Sequence, residues 1–128
     1  TGQRCAGFGQ DGIVDLWANM PNRDEGSYYS TSPPAVAGNR IVVGGAVNDN
    51  VSVKETSGVI RAYDAASGQL VWNFDSGRPD RTTPLGPDEK YTASSPNAWS
   101  MLSVDADLGI VYAPMGHAPP GQFGGART

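Results

Sequence analysis

The chain has 128 residues, including 17 glycines and 10 prolines, with a charged fraction of 17% and a formal net charge of −4 at pH 7. This length is that of one domain or part of one. The acidic balance leaves no basic stripe to offset phosphates, which argues against nucleic-acid binding. No apolar run approaches the roughly 18 residues of a membrane span. The composition therefore indicates a turn-rich globular sequence.

Strand signals dominate the chain, because no eleven-residue window keeps the apolar spacing of a helix without an interrupting glycine or proline. Five short runs rich in β-branched and aromatic residues are bounded by turn formers. They predict strands over residues 40–45, 58–63, 69–74, 99–104 and 109–114. Asp64–Gly68 and Asp105–Gly109 carry the aspartate and glycine of tight turns. We therefore predict two hairpins and an all-β fold.

The two ends of the chain and its single cysteine suggest a piece of a longer protein. The chain starts at Thr1 rather than at a methionine and stops in a glycine-rich stretch, residues 124–128. Five strands alone would also leave sheet edges exposed. Cys5 has no internal partner, so it is either a buried free thiol or paired with a cysteine outside this stretch.

The most specific local pattern is Ala62-x-Asp64-x-x-x-Gly68-x-x-x-Trp72. A small residue allows close packing between sheets, an aspartate and a glycine close the hairpin, and a large aromatic ring faces the neighbouring sheet. This pattern resembles the tryptophan-docking motif of the eight-bladed quinoprotein β-propellers, with Ser67 where threonine is commoner. A radial array of four-stranded blades would also protect the sheet edges.

The resemblance implies that the chain is about one and a half blades of such a propeller. We expect an irregular lead-in over residues 1–39 and blade strands with the docking motif over residues 40–74. A long polar loop with four prolines would follow over residues 75–98, and residues 99–128 would start the next blade. Loops of this length in a compact fold are usually functional or disordered.

Two features that could indicate a binding or catalytic site are better explained as ordinary loop residues. Gly7–Gly12 matches the dinucleotide pattern GxGxxG, but that chemistry needs a strand before it and a helix after it, and the flanking residues predict neither. We interpret it as a plain glycine loop. His117, the only histidine, follows a predicted strand in a loop and is interpreted as solvated. No Ser/His/Asp or Cys/His set can be assembled around it.

Several separated segments, taken in order, resemble the membrane-bound quinoprotein glucose dehydrogenases, which use pyrroloquinoline quinone (PQQ). The resemblance covers essentially the whole chain. The segments that carry it are Tyr28–Pro34, Gly44–Asn50, Lys54–Arg61, Ser95–Trp99 and Pro114–Gly116.

The resemblance implies roles for five residues. Trp99 matches the tryptophan under the PQQ ring, where a large flat ring gains stacking energy. Asp49 and Asn50 match an acid–amide pair beside the cofactor, and Asp49 is a candidate ligand for a divalent cation, Mg²⁺ or Ca²⁺. Thr31 matches a threonine that reaches a PQQ carboxylate, and Asn97 is a further candidate at that edge.

The resemblance also implies a function: oxidation of glucose or another aldose to its lactone with PQQ, with electrons passed to ubiquinone. The enzyme would act at the periplasmic face of the bacterial inner membrane, anchored by segments outside this chain. The catalytic base is expected downstream, so the chain alone should be inactive. His117 stands where alcohol-oxidising relatives carry an asparagine metal ligand, and it is not assigned as a ligand.

Two alternatives remain open. One is a quinate/shikimate or polyol dehydrogenase with the same cofactor, because such relatives share the Asp49-Asn50 pair and the Gly58–Arg61 segment. The other is a non-catalytic propeller scaffold, which would need only the Ala62–Trp72 motif.

Overall fold

A computed structural model describes residues 2–48, 50–52, 54–119, 121–122 and 125. Within these ranges the chain forms eight short strands and no helix. In chain order they are β1 (Tyr28–Tyr29), β2 (Ala35–Ala37), β3 (Arg40–Val43), β4 (Ala46–Val47), β5 (Ile60–Asp64), β6 (Leu70–Phe74), β7 (Ser103–Asp105) and β8 (Ile110–Tyr112). The described residues thus include no helix with the length and apolar character that a bilayer crossing needs.

Four strands form the central sheet, in the order β2-β3-β5-β6, with every pair antiparallel. Four antiparallel strands side by side are the unit of a propeller blade. The all-β prediction is confirmed. The sheet also includes β2, which lies in the segment expected to be an irregular lead-in. Strand β4 leaves this sheet and pairs with β1 in a separate two-stranded ladder.

The hairpin between β5 and β6 is closed by its own side chains. Asp64 Oδ1 accepts hydrogen bonds from Ser67 N at 2.9 Å and from Ser67 Oγ at 2.8 Å. These bonds, the backbone one first, hold the pKa of the Asp64 carboxyl below its usual value. Gly68 follows with a φ of 71°, a conformation that glycine adopts without strain. The predicted turn is confirmed.

The second predicted hairpin joins β7 to β8 in the same way. Asp105 Oδ1 accepts hydrogen bonds from the backbone nitrogens of Asp107 and Leu108, at 3.1 and 2.9 Å. Strands β7 and β2 lie in contact, which places this hairpin beside the four-stranded sheet. The four-stranded sheet and the β7–β8 hairpin therefore contain six of the eight strands, and β1 and β4 form the separate ladder.

Two hydrophobic clusters hold the molecule together. The first lies beneath the β1–β4 ladder and consists of Met20, Tyr28, Val47, Val59 and Tyr91. The second lies between the sheet and the β7–β8 hairpin and is built on Val42, Ile60, Ala62 and Ala98. Tyr91 and Ala98 come from the long loop, so part of that loop packs into the interior.

The loop over residues 75–98 contains no strand and is organised by one buried aspartate. Asp75 Oδ2 accepts hydrogen bonds from Thr92 N at 2.8 Å and from Thr92 Oγ1 at 3.0 Å. Arg78 completes the set with an ion pair at 3.0 Å. Because Asp75 joins the start of the loop to residue 92, it returns the chain to the sheet with Tyr91 buried.

Three sequence predictions need correction. The strand predicted from residue 99 begins only at Ser103, because the Trp99 carbonyl accepts side-chain hydroxyls and takes no part in a ladder. The strand predicted to reach residue 45 ends at Val43. Cys5 is exposed, so it is not a buried thiol. No helix follows Gly7–Gly12 among the described residues, which agrees with a plain glycine loop.

Candidate functional site

The segment that carries Trp99 is laid against the chain just before β5. We call residues 94–99 the Trp99 segment. A Cβ at Gly58 would lie 2.6 Å from Asn97 Cα and closer still to the Pro96 carbonyl, so no larger residue fits there without a shift. A Cβ at Gly44 would likewise collide with the Ala98 carbonyl oxygen. Glycine is required at both positions because two stretches of backbone meet.

Hydrogen bonds fasten the start of the Trp99 segment to residues 56–58. Gly58 N donates to Ser95 Oγ at 3.0 Å, and the hydroxyls of Ser57 and Ser95 share a hydrogen bond of 3.1 Å. Ser94 N donates to Thr56 O at 2.9 Å. These groups are largely buried, where an unmade hydrogen bond is costly, so they fix the path of the segment.

The backbone of Trp99 is anchored while its ring stays accessible. Ser32 Oγ donates to the Trp99 carbonyl at 2.9 Å, and Thr31 Oγ1 donates to the same oxygen. The residue nevertheless remains 57% exposed. A rigid backbone with an open indole is the arrangement that a stacking surface needs.

A cavity of about 320 Å³ lies beside this ring. Its lining residues are Tyr29, Thr31, Ala46, Val47, Asn97 and Trp99. Three residues predicted from the sequence therefore come together here, although they are separated by up to 68 positions in the chain. The wall combines aromatic faces with a hydroxyl and an amide, a surface suited to a flat ligand with polar edges.

A larger cavity, of about 480 Å³, lies next to Trp72. Its walls come from the four-stranded sheet and from the β7–β8 hairpin, and they are mostly small or aliphatic. Trp72 opposes Ala62 across β5 and β6. This cavity lies between the four-stranded sheet and the β7–β8 hairpin and is distinct from the one at Trp99.

Comparison with known proteins assigns the family. All of residues 1–128 match the family described as "Glucose/ethanol/alcohol dehydrogenase, beta-propeller domain" of the PQQ type. The chain belongs to the PQQ β-propeller family. No solved structure matches it significantly.

Several curated dehydrogenases are similar to this PQQ propeller chain along its whole length. It is 47% identical to quinoprotein glucose dehydrogenase A of Acinetobacter calcoaceticus and 42% identical to quinoprotein glucose dehydrogenase of Escherichia coli. It is 41% identical to quinate/shikimate dehydrogenase (quinone) of Acinetobacter baylyi. The chain spans only 16% of the length of each of these relatives.

In this PQQ propeller chain, the side-chain amide of Asn97 is hydrogen-bonded to the backbone of the cavity wall. It is only 4% exposed, and its Nδ2 donates to Gly45 O at 3.2 Å. Its carbonyl accepts from Gly116 N at 2.9 Å, which brings the segment after β8 next to the Trp99 segment. Its amide therefore positions the glycine that precedes β4 as well as lining the cavity.

Thr31 lines the cavity with its hydroxyl proton directed elsewhere. A hydroxyl has one proton, and Thr31 donates it to the Trp99 carbonyl. It can donate to a ligand carboxylate only by turning away from that carbonyl. Ser32 would still hold the Trp99 carbonyl, so the exchange leaves the ring in place.

The predicted acid–amide pair is only half described. Asp49 lies outside the described residues. Asn50 follows β4 closely, has a φ of 65°, and accepts a hydrogen bond from Gln122 N at 2.9 Å through Oδ1. It is not among the residues that line the cavity at Trp99. A Cβ at Gly121 would lie 2.8 Å from His117 Cε1 and 3.4 Å from Asn50 Oδ1. The side chains of His117 and Asn50 therefore both lie next to Gly121.

No group of three histidine, cysteine, aspartate or glutamate side chains is close enough to hold a metal ion within the part of the chain that the structure describes. The assignment of Asp49 to a cation thus stays a prediction. The cavity is also lined by three residues that were not predicted from the sequence, Tyr29, Ala46 and Val47. A signal was available for Tyr29, which lies two positions before Thr31 in a β-prone run.

Proposed function

We propose that this chain is part of a PQQ-dependent dehydrogenase that oxidises glucose or another aldose to its lactone. The chain would supply the floor and one edge of the cofactor cavity. The observation that carries this proposal is the exposed Trp99 ring, held at its backbone beside a cavity that Thr31 and Asn97 also line. The similarity to glucose dehydrogenases over the whole chain supports the choice of an aldose.

The residues present fit a flat, acidic quinone. A large planar ligand gains dispersion and stacking energy on an open indole, and Trp99 is anchored well enough to offer one. Carboxylates at the ligand's edge need donors, and the Thr31 hydroxyl can turn to supply one. When bound, PQQ supplies the quinone that accepts the two electrons taken from the sugar.

Each residue of the chain would act on binding and orientation. Trp99 excludes water from one face of the ligand, and Thr31 holds its acidic edge while Ser32 keeps the Trp99 carbonyl in place. Asn97 keeps the wall at Gly45 in position. Asp49 and Asn50 would hold the rim and a divalent cation, Mg²⁺ or Ca²⁺, since such hard cations prefer oxygen ligands. The proton of the substrate hydroxyl would go to a carboxylate outside this chain.

The same cavity would serve quinate/shikimate or polyol oxidation. The 41% identity to a quinate/shikimate dehydrogenase supports this second candidate, and the substrate would then be selected by residues outside the chain. We further propose that the whole protein passes electrons to ubiquinone at the periplasmic face of the inner membrane, as the resemblance implies.

The test is to titrate PQQ into the full-length apoprotein that carries this chain and to monitor binding by tryptophan fluorescence. We expect saturable quenching, dependence on Mg²⁺ or Ca²⁺ after chelation, and turnover of aldoses with an artificial dye or with ubiquinone. Turnover of quinate or polyols alone would favour the second candidate. Absence of saturable PQQ binding would favour a non-catalytic scaffold. Protease accessibility in spheroplasts would test the periplasmic location.

A further inference from the structure

A buried arginine lies against Tyr28, a residue of the β1–β4 ladder. Arg61, on β5, is 1% exposed. Among the described residues it has no carboxylate within ion-pair distance, and its Nε has no hydrogen-bond partner. Burying an unpaired charge is costly, so such a residue in the middle of a strand calls for a physical explanation. Its setting in the apolar run Val59–Tyr63 is visible in the sequence.

Two tyrosine rings and two oxygens surround the guanidinium. Arg61 Cζ lies 5.8 Å from the centroid of the Tyr28 ring and 5.9 Å from that of Tyr91, within the range of cation–π contacts. Its Nη2 donates to Leu16 O at 2.7 Å and to Tyr28 Oη at 3.3 Å. The planar, multi-donor guanidinium suits this combination of stacking and forked donation, which an ammonium matches poorly.

Arg61 thereby fixes the direction of the Tyr28 hydroxyl. An arginine can only donate, so Tyr28 Oη accepts from it and keeps its own proton for the Gly44 carbonyl, at 3.4 Å. The Tyr28 ring also lies where a Cβ of residue 45 would be, with Cε2 at 2.5 Å from that position. Tyr28 therefore packs directly against the Gly44-Gly45 pair.

The same glycine pair also contacts the Trp99 segment. Gly45 O accepts from Asn97 Nδ2 at 3.2 Å, and the Ala98 carbonyl lies against Gly44. Tyr28 also pairs with Val47 in the ladder whose neighbouring residues, Tyr29 and Ala46, line the cavity. A continuous set of contacts thus runs from the buried arginine to the cavity wall.

We propose that Arg61 is a positioning residue for the cavity at Trp99, acting through Tyr28 on Gly44-Gly45 and on the β1–β4 wall. This inference rests on the proposed function, because it predicts an effect on PQQ binding. Arg61 is remote from the ligand and takes no part in the chemistry.

The test uses the full-length protein with the variants Tyr28→Phe, Arg61→Lys and Arg61→Met. Arg40→Met is the matched control, since Arg40 lies on the adjacent strand β3 and pairs with Asp64 at 3.0 Å. For each protein we would measure the apparent Tm of the apoprotein and, well below that Tm, the Kd for PQQ. The KM for sugar would be measured at saturating PQQ.

Tyr28→Phe removes both hydrogen bonds of the Tyr28 hydroxyl, the one from Arg61 and the one to the Gly44 carbonyl, and should raise the PQQ Kd at least about fivefold. Arg61→Met should raise the PQQ Kd at least as much. A variant that combines Tyr28→Phe with Arg61→Met should have no higher PQQ Kd than Arg61→Met alone, because both changes act through the same contacts. The sugar KM should stay unchanged. Arg40→Met should alter Tm without altering the PQQ Kd.

A purely structural role predicts a different pattern. If Tyr28→Phe and Arg61→Lys lower Tm but bind PQQ as tightly as the wild type, the inference is wrong. These two conservative variants decide the question if Arg61→Met does not fold. The wild type separates the two proposals: if it binds PQQ and the variants match it, only the role of Arg61 fails, whereas a wild type that does not bind PQQ refutes the proposed function.

Discussion

Trp72 and Trp99 are both partly exposed, at 38% and 57%, but they are held in opposite ways. Trp72 lies on a regular strand opposite Ala62, and the hairpin between them is closed by hydrogen bonds to Asp64. Trp99 lies in no strand, and its carbonyl is held by hydroxyls 67 and 68 positions away. One ring is placed by its neighbours in the chain, and the other requires distant segments to meet first.

This difference separates architecture from function. The Trp72 hairpin can form from the residues between Ala62 and Trp72 alone, so it recurs in any blade that carries the motif. The Trp99 segment depends on Gly44, Gly58 and the hydroxyls of residues 31 and 32, which belong to separate parts of the fold. Changes that disturb the meeting point should therefore affect cofactor binding most strongly.

Gly58→Ala should have the largest effect. The new Cβ would overlap the Pro96 carbonyl and come within 2.6 Å of Asn97 Cα, so the Trp99 segment must move. Overpacking of this kind costs about 1–3 kcal/mol in the free energy of unfolding, and the displaced ring should raise the PQQ Kd by more than about tenfold. Denaturant unfolding and PQQ titration of the full-length protein would measure both.

Gly7→Ala is the matched control for that substitution. A Cβ at Gly7 meets no heavy atom within 4 Å, so both stability and PQQ affinity should stay near the wild-type values. Equal losses for the two alanine variants would contradict the importance of the contact at Gly58.

Trp72→Ala should lower the free energy of unfolding and leave PQQ binding unchanged. Because the ring is 38% exposed, we expect a loss of about 2 kcal/mol, below the roughly 3–5 kcal/mol of a fully buried tryptophan. The PQQ Kd, measured below the Tm of the variant, should not change. Trp72→Phe should recover part of the stability. A large change in PQQ affinity would show that the two tryptophans are not independent.

Trp99→Ala should show the reverse behaviour. Loss of the stacking surface should weaken PQQ binding by about 1–2 kcal/mol, which is roughly a five- to thirtyfold rise in Kd, while Tm changes little. Trp99→Phe keeps a flat ring and should lie between the two. PQQ binding by Trp99→Ala with wild-type affinity would remove the main support for the proposed cavity.

Asp64→Asn should have the smallest effect, confined to acid. The folded state lowers the pKa of Asp64, so its contribution to stability is present above the usual carboxyl pKa of 3.8 and is lost as the pH falls through the lowered value. Asparagine can still accept the Ser67 hydrogen bonds but does not titrate there. Unfolding measured between pH 5 and pH 2.5 should therefore depend less on pH in this variant than in the exposed control Asp80→Asn.

Much of the blade could be predicted from the sequence because it is local. The core of β3, β5, β6 and β8 was predicted from β-branched runs, and both hairpins from aspartate and glycine at turn positions. Strands β1, β2 and β4 were missed. They have two or three residues each and exist only because a partner pairs with them. The strand predicted to begin at Trp99 does not form there, because the Trp99 carbonyl accepts hydrogen bonds from side-chain hydroxyls instead of from a neighbouring strand.

The candidate site divides in the same way. Resemblance to a family identified Thr31, Asn97 and Trp99, and these three do line one cavity. Asp49 lies outside the described residues, and Asn50 lies with the segment after β8, so their place at the rim stays a prediction. The contacts from Arg61 through Tyr28 to Gly45 had no sequence signal beyond an arginine in an apolar strand.

Alternating apolar residues and turn chemistry act over a few positions, so the amino-acid order alone determined an all-β chain with a docking hairpin around Trp72. The orientation of Trp99 was decided only by the tertiary structure, since its anchors are hydroxyls and glycines far away in the chain. Such residues make contacts only after backbone segments approach, and a linear pattern carries no record of which segments will meet.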